Sequence, residues 1–178
     1  MKRWLLLFCT LLALQAQGYN ENILKIEANI IPRIALMDYK FMDKLQDGQI
    51  TIFILHTNTD SITAKRMKEI IQSKYPAGIK GYTLNIRLID YETFLKTPSK
   101  ATVYYLMDAL PDTIKQVVRE ASKRQILTFT HDTGNLAHGA NVSLMIDKKI
   151  IPYINVTSLK ESGISLRPAL LSISEIYQ

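Results

Sequence analysis

The residues with chemistry to offer are His56, Thr57 and Asn58, then Asp90, then Asp108, and finally Thr130, His131 and Asp132. Imidazole and carboxylate groups move protons, ligate metals and hold polar ligands. Each of these groups directly follows an apolar run that reads as a strand, at 50–55, 83–89, 101–107 and 126–129. In an open α/β sheet, ligands bind in the crevice at the carboxyl ends of the strands. The placement therefore predicts a polar rim of His56, Asn58, Asp108, His131 and Asp132 that would take a small molecule. The plainer alternative is that loops are polar because they are wet. His131 and His138 with Asp132 are zinc-type donors, but their spacing fits no metal motif. Gly134 and Gly139 predict a flexible loop there rather than a preorganised site. No metal and no cofactor is expected. The stretch 56–60 has no glycine, which argues against a phosphate-cradling loop. No serine sits in a G-x-S-x-G turn, so the hydrolase elbow is missing. No catalytic residue is predicted.

The elements that must position this rim are legible from periodicity. At 21–37 the apolar residues Ile23, Leu24, Ile26, Ile30, Ile31, Ile34 and Leu36 predict a helix, with a kink or restart at Pro32. The run 50–55 is apolar at nearly every position, as in a central strand covered on both faces. A helix to about residue 74 follows, N-capped by Asp60 or Ser61. The strand at 83–89 alternates Leu84, Ile86 and Leu88 with Asn85 and Arg87, which predicts a sheet edge with one wet face. A short helix at 91–96 leads to the strand at 101–107, where Tyr104 and Tyr105 read as packing residues. Pro111 opens a helix whose Ile114, Val117, Val118 and Ala121 form one face. After 126–129, the runs 141–146 and 150–156 flank Asp147-Lys148-Lys149 as a hairpin. Pro152 removes a backbone donor and predicts an edge position for the second run. A closing helix completes the chain. Asn141-Val142-Ser143 and Asn155-Val156-Thr157 fit the glycosylation pattern but fall in predicted strands. The fold class is thus α/β and three-layered: a mostly parallel twisted sheet, helices on both faces and a C-terminal antiparallel hairpin.

The chain has 178 residues, 47% of them apolar, enough for one well-buried domain and short for two. Lys2 and Arg3 precede the apolar run 4–14, and Ala16-Gln17-Gly18 follows it. These are the parts of a secretory signal peptide, cleaved after Gly18 or, alternatively, Ala16. The run is about half the ~20 residues a membrane-spanning helix needs. Cys9, the only cysteine, lies behind Leu7 and Phe8 rather than small residues, against a lipid anchor. Removing residues 1–18 takes Lys2, Arg3 and Cys9 with it. The exported domain, 19–178, then has 22 less 2, or 20, basic residues against 16 acidic ones, a formal charge of +4. Disulfides and thiolate chemistry are excluded from it. Lys65, Arg66 and Lys68 share a helix with Asp60 and Glu69, a solvated face and no nucleic-acid patch.

The last third of the chain resembles the YfiR/HmsC-like family of small periplasmic proteins. The likeness rests on Ile126-Leu127-Thr128-Phe129, Asp132, Gly139 before the apolar 142–146, the turn, and the run 151–155 ending in Asn155. It continues through Ser158-Leu159-Lys160-Glu161-Ser162-Gly163-Ile164 to Leu170-Leu171-Ser172. The resemblance implies a non-enzymatic periplasmic sensor or adaptor. Its best-known members hold an inner-membrane diguanylate cyclase inactive by binding the periplasmic part, which links envelope conditions to cyclic-di-GMP and biofilm formation. It also implies self-association and contact with the membrane only through such a partner. Those members carry cysteines tied to redox control, and the exported chain here has none, so redox control is not carried over.

Overall fold

The computed structural model describes residues 19–177. The signal-peptide reading of residues 1–18 lies outside them.

Helix α1 (Glu21–Ala35) begins where the Asn20 side chain accepts the Asn22 N–H at 2.8 Å, with Glu21 in its first turn and Arg33 in its last. Strand β1 (Ile50–His56) is buried at every position, as its nearly continuous apolar run predicts. Alternation then divides its side chains. Ile50, Ile52 and Ile54 join the core under α1 and α2 (Ser61–Lys74). Phe53 and Leu55 join the core under α3 (Tyr91–Lys96) and α4 (Pro111–Lys123). Strand β3 (Val103–Leu106) repeats the division, sending Tyr105 to the α1 side and Tyr104 to the α4 side.

With β2 (Leu84–Asp90), β4 (Leu127–Thr130), β5 (Val142–Ile146), β6 (Ile150–Asn155) and β7 (Glu175–Tyr177), the sheet runs β2-β1-β3-β4-β5-β6-β7. All neighbours are parallel except the β5–β6 hairpin. The architecture is the expected three-layer α/β one, and β2 is the edge that its wet face predicted. The order β2-β1-β3 places the point where the winding reverses between β1 and β3, the usual ligand position in such sheets.

Several local readings are corrected. Helix α1 runs through Pro32 without a restart. Its stripe of Leu24, Ala28, Ile31 and Ile34 is buried on both sides of the proline, and that packing outweighs one missing hydrogen bond. Asp60 stands at the N-cap of α2 but makes no capping bond, because its carboxylate accepts the Thr57 hydroxyl at 2.6 Å instead. The stretch Thr133–His138 is a 3₁₀ turn rather than a flexible loop, fixed by the Asp132 side chain on Gly134 N–H and closed by Gly139 in the left-handed region. No single closing helix forms. The chain makes α5 (Val156–Glu161), a one-turn α6 (Pro168–Leu171) and then β7. That last strand pairs with Tyr153–Asn155, so β6 is not the edge. The Asn155 N–H to Asn141 bond fixes the hairpin's alternation and turns the nitrogen of Pro152 away from β5. Residue 152 lies just before the β7 pairing begins, so the absent donor costs no ladder bond.

One backbone position is a sensitive point in the turn into β2. Gly78 has φ +79, and a Cβ there would lie 2.0 Å from the Tyr82 carbonyl oxygen. Gly78→Ala is expected to lower the unfolding free energy by about 2 kcal/mol or more in urea titrations.

Candidate functional site

The predicted rim residues divide between two places on either side of the strand ends. The first lies beneath α1. Tyr105 leaves β3 toward that helix, and its hydroxyl donates to Glu27 Oε2 at 2.8 Å. His131, just past the end of β4, donates from Nδ1 to the same oxygen at 2.9 Å. Glu27 is 1% exposed, and its Oε1 is buried with no partner among the described residues. Tyr19 closes the cluster from outside. Its ring lies 4.5 Å from the His131 ring, and its hydroxyl oxygen accepts the Asp108 N–H at 2.8 Å. The N-terminal edge of α1 thus seats on the loop after β3.

Burial and charge set the proton affinities here. Burial opposes the charged His131 ring, but the Glu27 hydrogen bond and charge, with Asp108 and Asp132, raise its pKa above the usual histidine value. Burial also raises Asp108, against the pull of His131. The Tyr105 phenol is pushed far up by burial and by Glu27. The cluster offers no free nucleophile: one buried carboxylate oxygen is shared by a phenol and an imidazole inside the fold.

This gives a stability prediction. A histidine whose folded-state pKa is raised adds stability that is fully present below its unfolded value of about 6.5 and is lost as pH rises through the folded value. Unfolding free energy is therefore expected to decline across that window. His131→Asn should flatten the decline in urea titrations taken between about pH 5 and 9; an unchanged slope would show that another group carries it.

The second site holds His56 and Asn58. His56 and Asp90 are register partners on β1 and β2, so their side chains leave the sheet on the same side. Both line a cleft of about 360 Å³ with Asn58, Leu95 and the start of α4. His56 Nδ1 donates to the Thr57 carbonyl at 2.8 Å. Asp90 caps α3 by accepting the Thr93 N–H at 2.8 Å, and the Thr93 hydrogen bonds hold its carboxyl below the ordinary range.

The structure thus brings Asp108 and His131 together through Tyr19, and places His56 and Asn58 elsewhere. Asp132 lies near enough to act on His131 by charge, but its carboxylate caps the 3₁₀ turn. His138 lines a different cleft, between α4 and α5. Among the described residues no group of three His, Cys, Asp or Glu side chains is placed to hold a metal ion. Sequence reading missed Glu27, Tyr19 and Tyr105 as site residues. The signal for Glu27 was present: it is the one carboxylate on the buried stripe of α1. The two sequon asparagines are structural. Asn155 caps α5 and donates to the Leu136 carbonyl, and Asn141 joins β4 to β5.

The fold and its two strand-end sites define a doubly wound α/β protein with an acid–imidazole cluster and a separate cleft. The profile of the YfiR/HmsC-like family matches residues 42–175, and the chain belongs to that family. It is a regulatory, non-enzymatic family of periplasmic proteins. No curated protein matches the chain in sequence. Among solved structures, it is similar to a conserved domain protein from Vibrio cholerae, with a TM-score of 0.59 and 13% identity over 87% of this chain and 60% of that one. It is also similar to an ABC domain from Streptococcus pneumoniae in complex with L-Trp, with a TM-score of 0.53 and 14% identity over 81% and 62%. A ligand-free, open substrate-binding protein with adhesive properties from Clostridium difficile gives a TM-score of 0.57 and 11% identity over 84% and 58%. The chain spans about three fifths of the length of these proteins. Identities this low show a shared fold. No helix among the described residues is long and apolar enough to cross a membrane.

Proposed function

We propose that the protein is a periplasmic regulator that binds the periplasmic part of an inner-membrane signalling protein, a diguanylate cyclase, and so controls cyclic-di-GMP and biofilm formation. The observation that carries this reading is family membership over residues 42–175. Two features of the surface support action by protein contact. Strand β7 is the outer strand of the sheet, with one row of backbone groups unpaired by the sheet. Leu171, Ile173 and Ile176, all exposed, lie on or beside it. An open edge with apolar neighbours suits strand addition by a partner or by a second copy of the chain. Cys9 is the only cysteine, so control by thiol oxidation is not part of the proposal. The test is a deletion strain. Loss of the protein should raise cellular cyclic-di-GMP and surface attachment, and re-expression should reverse both. Unchanged cyclic-di-GMP in the deletion strain would overturn the reading.

A second reading, a small-molecule binding module, is favoured by the cleft at the ends of β1 and β2, beside the β1–β3 reversal point, which His56, Asn58 and Asp90 line.

A further inference from the structure

We infer that the cleft formed by His56, Asn58 and Asp90 binds a small organic ammonium compound, with the ammonium group on these three residues and its apolar body against Leu95, Ala109 and Leu110. The inference rests on the small-molecule reading and is independent of the membrane partner.

His56 is 9% exposed, and its Nδ1 is committed to the Thr57 carbonyl. In the uncharged ring the other nitrogen is then an acceptor, and it has no hydrogen-bond partner among the described residues. Asp90, beside it in register, contributes a carboxylate that the Thr93 hydrogen bonds keep in the charged form. A carboxylate has acceptor capacity beyond the one bond it makes to Thr93 N–H. The Asn58 side chain makes no hydrogen bond among the described residues and supplies a third acceptor. An ammonium group carries three donors, so donor and acceptor numbers match.

Helix termini pull the other way, and their magnitudes decide. α2, α3 and α4 all start at this edge, each worth at most about half a positive charge. Asp60 and Asp90, at the N-cap positions of α2 and α3, each bring a full negative one, together more than the three helix ends supply, so the mouth stays net negative. The remaining wall argues for an organic cation over a metal ion. No set of three metal-type donors converges among the described residues. The cleft, at about 360 Å³, is far larger than an ion needs. Leu110 is 76% exposed at its rim, an apolar surface without cover.

The test is titration of the purified protein with three molecules of one shape, followed by amide and His56 ring NMR shifts: cyclohexylmethylamine, cyclohexylmethanol and cyclohexanecarboxylate. The amine should give a saturable shift at His56 and Asp90 at millimolar concentration, the alcohol a much weaker one and the carboxylate none. Asp90→Asn keeps the α3 cap and removes the charge; it should weaken amine binding about tenfold or more. Asp132→Asn, at the far side, should leave it unchanged. Equal binding of the alcohol or the carboxylate, or full binding by Asp90→Asn, would overturn the ammonium assignment alone. Absence of any saturable shift with all three would overturn the pocket reading with it.

Discussion

Glu27→Ala is expected to destabilise the protein by about 2–4 kcal/mol, as removing the shared acceptor of two hydrogen bonds inside the fold does. The glutamate accepts two hydrogen bonds on one oxygen, from Tyr105 at 2.8 Å and from His131 at 2.9 Å. Truncation leaves the buried Tyr105 hydroxyl with only the distant His131 nitrogen, 3.5 Å away, and an unmet hydroxyl costs about 1–3 kcal/mol by itself. It also leaves His131 without its partner and opens space beneath α1. Since whole domains are stable by only about 5–15 kcal/mol, such a loss is a large share of the total. Glu27→Gln keeps shape and one acceptor and should cost less, about 1–2 kcal/mol. Glu27→Leu combined with Tyr105→Phe removes both buried polar groups together and should recover part of the loss seen in Glu27→Leu alone. Urea titration gives all of these values. A loss below about 1 kcal/mol in Glu27→Ala would mean that the cluster contributes little net energy despite its geometry.

The second large effect is expected at Asn141, where Ala should cost about 2–4 kcal/mol through three buried hydrogen bonds lost at once. Its Oδ1 accepts the Thr128 N–H at 2.9 Å and the Thr128 hydroxyl at 3.0 Å, and its Nδ2 donates to Ser158 Oγ at 2.9 Å. The ladder between β4 and β5 has only two register pairs, Phe129 with Val142 and Thr130 with Ser143. Asn141 extends that short seam with its side chain and joins the bonds from Ser143 Oγ to the Thr130 carbonyl and from Asn155 Nδ2 to the Leu136 carbonyl in attaching the hairpin and α5. Amide exchange at Thr128 should accelerate in the variant together with the drop in stability. A variant within about 0.5 kcal/mol of the parent, with Thr128 still protected, would show that the seam holds without the side chain.

The sequence by itself determined whatever depends on the local pattern of apolar residues. The nearly continuous apolar run of β1 required a strand buried on both faces, the alternation of β2 required an edge, and the helix at Tyr91–Lys96 and the β5–β6 hairpin appear where their patterns placed them. Period reports which side of an element is apolar, and that is enough to give a three-layer α/β fold. It does not report which elements meet. Strand β7 is three residues long and exists through its pairing with β6, so no local signal could announce it or displace β6 from the edge. Pro32 stays helical because the stripe around it packs on the sheet. The rim residues shared one predicted edge, yet only tertiary structure could divide them between the space under α1 and the cleft at β2. The partner that raises the proton affinity of His131 is 104 residues away on α1. Contacts at that separation are fixed by the closing of the whole sheet, and no window of sequence contains them.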